Sequence, residues 1–493
     1  LPNKIVLLHF IIHPMQQAIK PTITLWGALL PIVILVLLLS FNVTVYGDDA
    51  LGGSNQFILL IGAAVAAIVG FRNKVTYDQM IEAIGSNLKS TTGAILILLF
   101  VGALAGTWLL SGIIPAMIYY GLQILHPSIF LPACIVICAI ISIATGSSWT
   151  TSATVGIALI GIGRALEIPV GMVAGAVISG AYFGDKLSPL SDTTNLAPAM
   201  AGSDLFTHIR YMTHTTVPSI IITIILFLIL GFFQNTTGAA DTDILLTSIK
   251  ESFTINLGLF LVPALVIFLI IRKTPPLTAL LAGTLLGGLF ALIFQPGLVV
   301  KIAGSTTLSI TSAYQGVMNA IIGEISVTTS NELLNDLFSS GGMKGMLGTI
   351  WLIVCAMVFG GIMDAIGGLQ RLSNALLSIA QSTFQLFAST AASCIVINLT
   401  ASDQYLSIVL PGKMFNKAFT DKNLAPENLS RTLEDAGTVT SVLIPWNTCG
   451  AYQSGVLGVG VGEYFIYAIF NWLSPIMTLV YAYFGIKIKK IVS

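Results

Sequence analysis

Residues 184–198 read Gly184-Asp185-Lys186-Leu187-Ser188-Pro189-Leu190-Ser191-Asp192-Thr193-Thr194-Asn195-Leu196-Ala197-Pro198, between the apolar runs 169–183 and 217–233. Two carboxylates, a lysine and five hydroxyl or amide side chains are concentrated there. Such an oxygen-rich set suits a hard cation such as Na+, which takes carboxylate, hydroxyl and backbone carbonyl ligands. The prolines break helices and release carbonyls. A second region has the same order of parts: Arg431-Thr432-Leu433-Glu434-Asp435-Ala436-Gly437-Thr438, then Pro445-Trp446-Asn447-Thr448. An acid at membrane depth is a functional-site hypothesis by default, because an unpaired buried charge is costly. Plainer readings stand beside this one. Asp185 and Lys186 could pair with each other or lie on a loop outside the membrane. Asp192 could cap a helix, and Glu434 and Asp435 could end a solvated helix.

A further pair of motifs is Thr145-Gly146-Ser147-Ser148-Trp149-Thr150-Thr151 and Thr400-Ala401-Ser402-Asp403-Gln404-Tyr405. Each separates two apolar runs that are short for two spans, the pattern of a re-entrant helical hairpin with a polar tip. At such a tip the second helix exposes N–H groups with positive partial charge, and unwound carbonyls and hydroxyls hold cations. A Ser/Thr contact between helices is the alternative.

Composition says what must carry these motifs. Only 9% of the 493 residues are charged and 55% are hydrophobic, with a mean hydropathy of +0.92. Soluble chains carry roughly 25% charged residues, so this is an integral membrane protein. Lys+Arg and Asp+Glu are both 21, and nothing points to nucleic acid. Apolar stretches of spanning length cover 22–45, 55–71, 93–111, 217–233, 254–271, 276–295, 346–363 and 464–486. Others, including 129–163, 168–184, 384–418 and 429–460, are interrupted by Gly, Pro, Ser, Thr or charge. About 11–13 membrane segments are expected, some of them discontinuous.

The chain also matches itself at one recurring offset, 255 residues. Pro21 falls on Pro276, Gly106 on Gly361, Gly112 on Gly367, Thr145-Gly146-Ser147 on Thr400-Ala401-Ser402, and Asp192-Thr193 on Asn447-Thr448. This divides the chain into a cytoplasmic segment 1–20, a repeat 21–234, a connector with a linking membrane helix 235–275, a second repeat 276–486 and a basic cytoplasmic tail 487–493. Loop 72–89 carries Arg72, Lys74 and Lys89, whereas 324–344 is acidic; 412–431 is basic, whereas 157–176 has Arg164 and Glu167. The positive-inside rule then puts equivalent loops on opposite sides, so the repeats are read as inverted. Lys20 and the equivalent Arg272-Lys273, both basic, count against it.

The remaining polar residues are less informative. Asp364 ends an apolar segment and is either a titrating group or an interfacial cap. None of the five histidines has metal-like spacing. His208 and His214, with Arg210, are expected at an interface, and His126 at a helix end. The five cysteines are expected as small buried residues. No HExxH, GxSxG, phosphate-binding loop or paired CxxC occurs, so an enzyme is not expected, and no cofactor.

The 184–197 motif, Ser402-Asp403-Gln404-Tyr405 and Ile444-Pro445-Trp446-Asn447-Thr448 resemble the NhaC-type sodium/proton antiporter family, over nearly the whole chain. The resemblance implies a secondary transporter of the wider ion-transporter superfamily, with inverted repeats, re-entrant hairpins and often an elevator motion. That family also contains sodium-linked malate/lactate exchangers. The expected fold is an all-α polytopic membrane protein. The expected function is Na+/H+ antiport in a prokaryotic inner membrane, driven by ion gradients. Na+ would be the transported or coupling ion, held by Thr145, Ser147, Ser148, Asp192, Thr193, Asn195, Thr400, Ser402, Asp403, Asn447 and Thr448. One or more of Asp185, Asp192, Asp403, Glu434 and Asp435 would alternate between proton and sodium, since burial disfavours a bare carboxylate. Rivals are an exchanger of small organic anions, with Lys186 offsetting their charge, and a channel with an acidic selectivity ring. A homodimer is in keeping with elevator transporters, although no residue pattern marks an interface.

Overall fold

The computed structural model describes residues 23–46, 52–124, 126–233, 242–329 and 332–491. The N-terminal segment 1–20 and the start of the connector lie outside these. Among the described residues the chain is helical, apart from one two-stranded ladder pairing Ile325–Ser326 with Ser339–Ser340. Among those residues eight helices are long and apolar enough to cross a membrane, or nine if the pair Asp243–Ser252 and Leu257–Ile271, bent by 83°, is one span. The other expected segments are shorter or interrupted helices. Expected stretch 464–486, for example, is Val461–Tyr464 followed by Ile469–Phe484.

Large apolar residues lie on the surface, and charged ones lie inside an otherwise apolar core. Trp26, Leu37, Phe41, Ile221, Phe232 and Phe233 are exposed, while Lys186, Arg431, Glu434, Asp435, Asn398 and Asn471 are buried. Lipid solvates the apolar outer faces, and the polar groups find partners only inside. The chain is therefore an integral, multi-pass, all-α membrane protein.

Helix boundaries follow local chemistry. Pro276–Phe294 and Pro426–Leu433 open on proline, where no N–H is missed. Tyr77–Leu110 opens with a Thr76/Gln79 capping box. The first polar tip follows Pro127–Thr145: Gly146 ends that helix at φ 71°, and Ser147 caps Ser148–Thr151 by accepting from Thr150 N at 3.2 Å. A π-helical turn, Ser152–Gly156, leads on to Ile157–Ala165. The second tip lies between Thr383–Thr400 and Gln404–Asp421, with Asp403 as N-cap. Pro127–Thr145 and Thr383–Thr400 are themselves of spanning length and apolarity.

The 255-residue offset extends to the element boundaries. It carries 127–145 onto 382–400, where the helix is Thr383–Thr400. It carries 192–201 onto 447–456, where the helix is Thr448–Leu457. Val170–Leu187 falls on 425–442, where Pro426–Leu433, the π turn Glu434–Thr438 and the 3-10 turn Ser441–Leu443 follow one another.

Val170–Leu187 packs hard against Pro127–Thr145 because its glycines leave room. A Cβ on Gly180 would lie 2.3 Å from the Ile135 carbonyl oxygen, and one on Gly184 2.4 Å from that of Ala139. Backbones approach this closely in membranes only at small residues. Gly180→Val should therefore lower the thermal unfolding temperature of the detergent-solubilised protein sharply, overpacking costing about 1–3 kcal/mol or more. Gly85→Ala, with open space at its Cβ, should not lower it.

Candidate functional site

Asp185 and Lys186 are consecutive residues near the end of Val170–Leu187, so their side chains leave about 100° apart and reach different surroundings. Asp185 Oδ2 accepts from Ser148 N at 3.2 Å and from Ser148 Oγ at 2.7 Å. It thus sits against the start of the tip helix, where unpaired N–H groups and the helix dipole favour an anion.

Beside it lies a cavity of about 610 Å³. Asp185, Asp192, Thr145, Ser147, Thr150, Ser191 and Thr193 line one side, and Gln404 and Tyr405 of the second tip another. Ser90, Gly93 and Ile97 form a further wall, and Lys273 and Thr274 lie on the connector side. The Thr145 hydroxyl is buried and has no hydrogen-bond partner among the described residues. Asp192 does not cap its helix: Ser191 does, accepting from Thr194 N at 3.4 Å. The Asp192 carboxylate is left facing the cavity. Gly146 makes this assembly compact, since a Cβ there would lie 2.5 Å from Leu190 Cβ.

Five of the predicted residues, Thr145, Ser147, Asp185, Asp192 and Thr193, thus share one cavity, and Ser148 holds Asp185 from behind. Asn195 turns away, donating to the Pro189 carbonyl at 3.0 Å and the Ser191 carbonyl at 2.6 Å, and so shapes the loop instead.

The second set gathers around the second tip. Ser402 takes φ 60° and its carbonyl accepts from Thr448 N at 2.9 Å. Its hydroxyl is buried without a partner among the described residues. Asp403 accepts from Leu406 N at 2.9 Å. Asn447 donates to the Asn398 carbonyl at 3.1 Å and accepts from Cys449 N at 3.0 Å. The Thr400 hydroxyl donates to the Val396 carbonyl at 2.7 Å. These residues do not line the cavity; Gln404 and Tyr405 do. Trp149 of the first tip stacks on Tyr452, ring centroids 4.0 Å apart, and joins the two halves.

Glu434 and Asp435 do not end a solvated helix. Both are fully buried in the π turn, because the second-half helix widens there and turns them inward. Lys186 does not pair with Asp185. Its ammonium is ion-paired with Asp435, which the 100° step directs it toward, and it also donates to Ser474 Oγ at 3.1 Å. Asp435 further accepts from Thr215 Oγ1 at 2.9 Å, from Ser474 Oγ at 3.0 Å and from Thr478. Lys186 is therefore not free to meet an organic anion in the cavity. His208 is not interfacial: it is buried, with Nδ1 2.7 Å from Ser430 Oγ, because Leu205–Phe233 packs that face against Pro426–Leu433. Asp364 lies in the last turn of Leu347–Ala365, away from the cavity.

Thr215, Ser474, Thr478 and Asn398 were not singled out from sequence. The i, i+4 spacing of Thr215, Ser219 and Thr223 marks a polar stripe on an apolar helix, and Asn471, Ser474 and Thr478 mark another on Ile469–Phe484. Among the described residues no three His, Cys, Asp or Glu side chains converge on one point, so a cation here would depend on hydroxyls and carbonyls as well as carboxylates.

Residues 180–486, which start just before the first polar motif, match the model of the Na+/H+ antiporter family. The Na+/H+ antiporter NhaC of Alkalihalophilus pseudofirmus is 40% identical over 432 residues, covering 88% of this chain and 90% of that protein. The chain belongs to this family. The malate-2H+/Na+-lactate antiporter of Bacillus subtilis is 37% identical, covering 92% of this chain and 93% of that protein. The arginine/ornithine antiporter ArcD of Halobacterium salinarum is 34% identical, covering 93% and 92%.

Removing one partner of a buried ion pair leaves an uncompensated charge. Lys186→Met should destabilise the purified protein by about 3–5 kcal/mol, and Lys186→Met/Asp435→Leu should recover most of that loss in the same thermal or denaturant titration.

Proposed function

We propose that this member of the Na+/H+ antiporter family is a secondary active transporter that exchanges Na+ for H+ across the prokaryotic plasma membrane. The observation that carries this reading is the cavity: two carboxylates, Asp185 and Asp192, face it together with the orphaned Thr145 hydroxyl and those of Ser147 and Thr193. A sodium ion needs such an oxygen set, with carboxylate charge to balance its own. Ser402, whose hydroxyl is also orphaned, is the second-half candidate ligand. The broken helices at both tips offer carbonyls and helix starts.

Two inverted repeats, 21–234 and 276–486, are part of this proposal. The recurrence of helix ends at one offset and the opposed loop charges support it. Alternating access would then move the tips relative to the framework, in the elevator manner.

A second reading is antiport of small organic anions with Na+ and H+. Lys273 on the cavity wall favours it, being a cation placed where Lys186 is not, and a relative of this chain carries that name. Purified protein in liposomes with an internal pH dye separates the two. A Na+-dependent pH change without organic acid is expected. A response only when malate or lactate is present would establish the second reading, and Lys273→Gln would then raise the organic-acid concentration needed. Asp192→Asn should abolish exchange while the protein still inserts and purifies normally; wild-type exchange in that variant would sink the site assignment.

A further inference from the structure

We propose that the transported proton is carried by Glu434, at a site separate from the sodium cavity. The proposal rests on the antiport reading above and names the proton-binding residue within it. Glu434 is fully buried, and neither of its carboxylate oxygens has a hydrogen-bond partner among the described residues. It does not line the cavity, so Na+ bound there does not displace its proton by direct contact. The Thr438 hydroxyl acts on Glu434 but makes no hydrogen bond of its own among the described residues; a buried carboxylate held so loosely is costly as an ion, which suits a group whose task is to bind and release a proton rather than to hold a structure.

The surrounding charges supply the rest of the device. From Val170–Leu187 come Lys186 and Asp185, both of which act electrostatically on Glu434. From its own segment come Asp435, paired with Lys186, and Arg431. Thr383–Thr400 contributes Cys394. Leu205–Phe233 places His208 near Lys186 and Asp435. Ile469–Phe484 contributes the Ser474 and Thr478 hydroxyls. Gln404–Asp421 meets the π turn at Ser407 and Ile408 beside Gly437, and Asp192 of Asp192–Ala201 faces the cavity instead.

Arg431 is the second unusual member. Its guanidinium is buried, all three nitrogens lack hydrogen-bond partners among the described residues, and it lies 4.7 Å over the Tyr211 ring. It stands three residues before Glu434, within reach along a helix. When alternating access opens Glu434 to one side of the membrane and its proton passes to water there, the new carboxylate has two candidate counter-charges. Arg431 can leave Tyr211, or Lys186 can divide its ammonium between Asp435 and Glu434. The second response pulls directly on the sodium site. Lys186 adjoins Asp185, and the Thr194 hydroxyl donates to both of their carbonyls, at 3.1 and 3.2 Å. Proton and sodium thus communicate through the end of one helix rather than by competing for one carboxylate.

The test uses the full-length protein in liposomes, with two readouts: exchange of radioactive Na+ for unlabelled Na+ at equal pH, and Na+-driven proton flux. Glu434→Gln is expected to keep Na+/Na+ exchange and lose Na+-driven proton flux, whereas Asp185→Asn loses both. Proton flux retained in Glu434→Gln would overturn the proposal. So would loss of both activities in a Glu434→Gln protein that remains monodisperse with a wild-type unfolding temperature. If that variant does not fold, Glu434→Asp decides: a shifted pH midpoint of transport with unchanged half-saturation for Na+ is expected, and an unshifted midpoint overturns the assignment. Wild-type protein that moves no protons with Na+ would instead sink the antiport reading itself, a result visible before any variant is made.

Discussion

A carboxylate and an ammonium on adjacent residues, Asp185 and Lys186, are both withdrawn from water at the end of one helix. Taking either ion into a low-dielectric interior costs several kcal/mol unless partners replace the lost hydration. Asp185 is compensated by the backbone and hydroxyl of Ser148 at a helix start. Lys186 is compensated by Asp435, 249 residues further along. The two halves of the chain must therefore meet at this point with little freedom. The glycines at 180 and 184 allow it, because they bring the helix against Pro127–Thr145 at backbone contact distance.

The two halves share several helix ends at one offset and differ in chemistry. At the 255-residue offset, Glu434 and Asp435 fall on Ser179 and Gly180, and Asp185 and Lys186 fall on Thr440 and Ser441. Where the first half needs small residues for close packing, the second half opens into a π turn and admits two carboxylates. π turns of this kind are found preferentially at functional sites. The first half thus supplies the acids of the cavity, and the second supplies the interior charges behind it. The likeness of the two polar motifs, carboxylates followed by a proline and Asx-Thr, is one of order and not of equivalent carboxylate positions.

The relatives' names differ in what is exchanged while the chains align almost end to end. In this chain the cavity wall includes Lys273, Tyr405 and Ser90 alongside the two acids.

The sequence by itself determined the membrane class, a self-similarity at one offset and the location of the polar motifs. Each is a one-dimensional property: hydropathy over about 20 residues, self-similarity at one offset, and clustering of Asp, Ser, Thr and Pro in apolar surroundings. It brought five cavity residues into view because they lie on two short stretches. The tertiary structure decided who partners whom. That Lys186 serves Asp435 and not its neighbour Asp185 follows from the 100° step between consecutive helical residues. That His208 is buried follows from which face of Leu205–Phe233 packs inward. That Glu434 and Arg431 are buried without hydrogen-bond partners among the described residues follows from how Pro426–Leu433 and the π turn after it pack inside the molecule. Pairing and burial depend on how distant segments pack, and no local spacing encodes a contact 249 residues long.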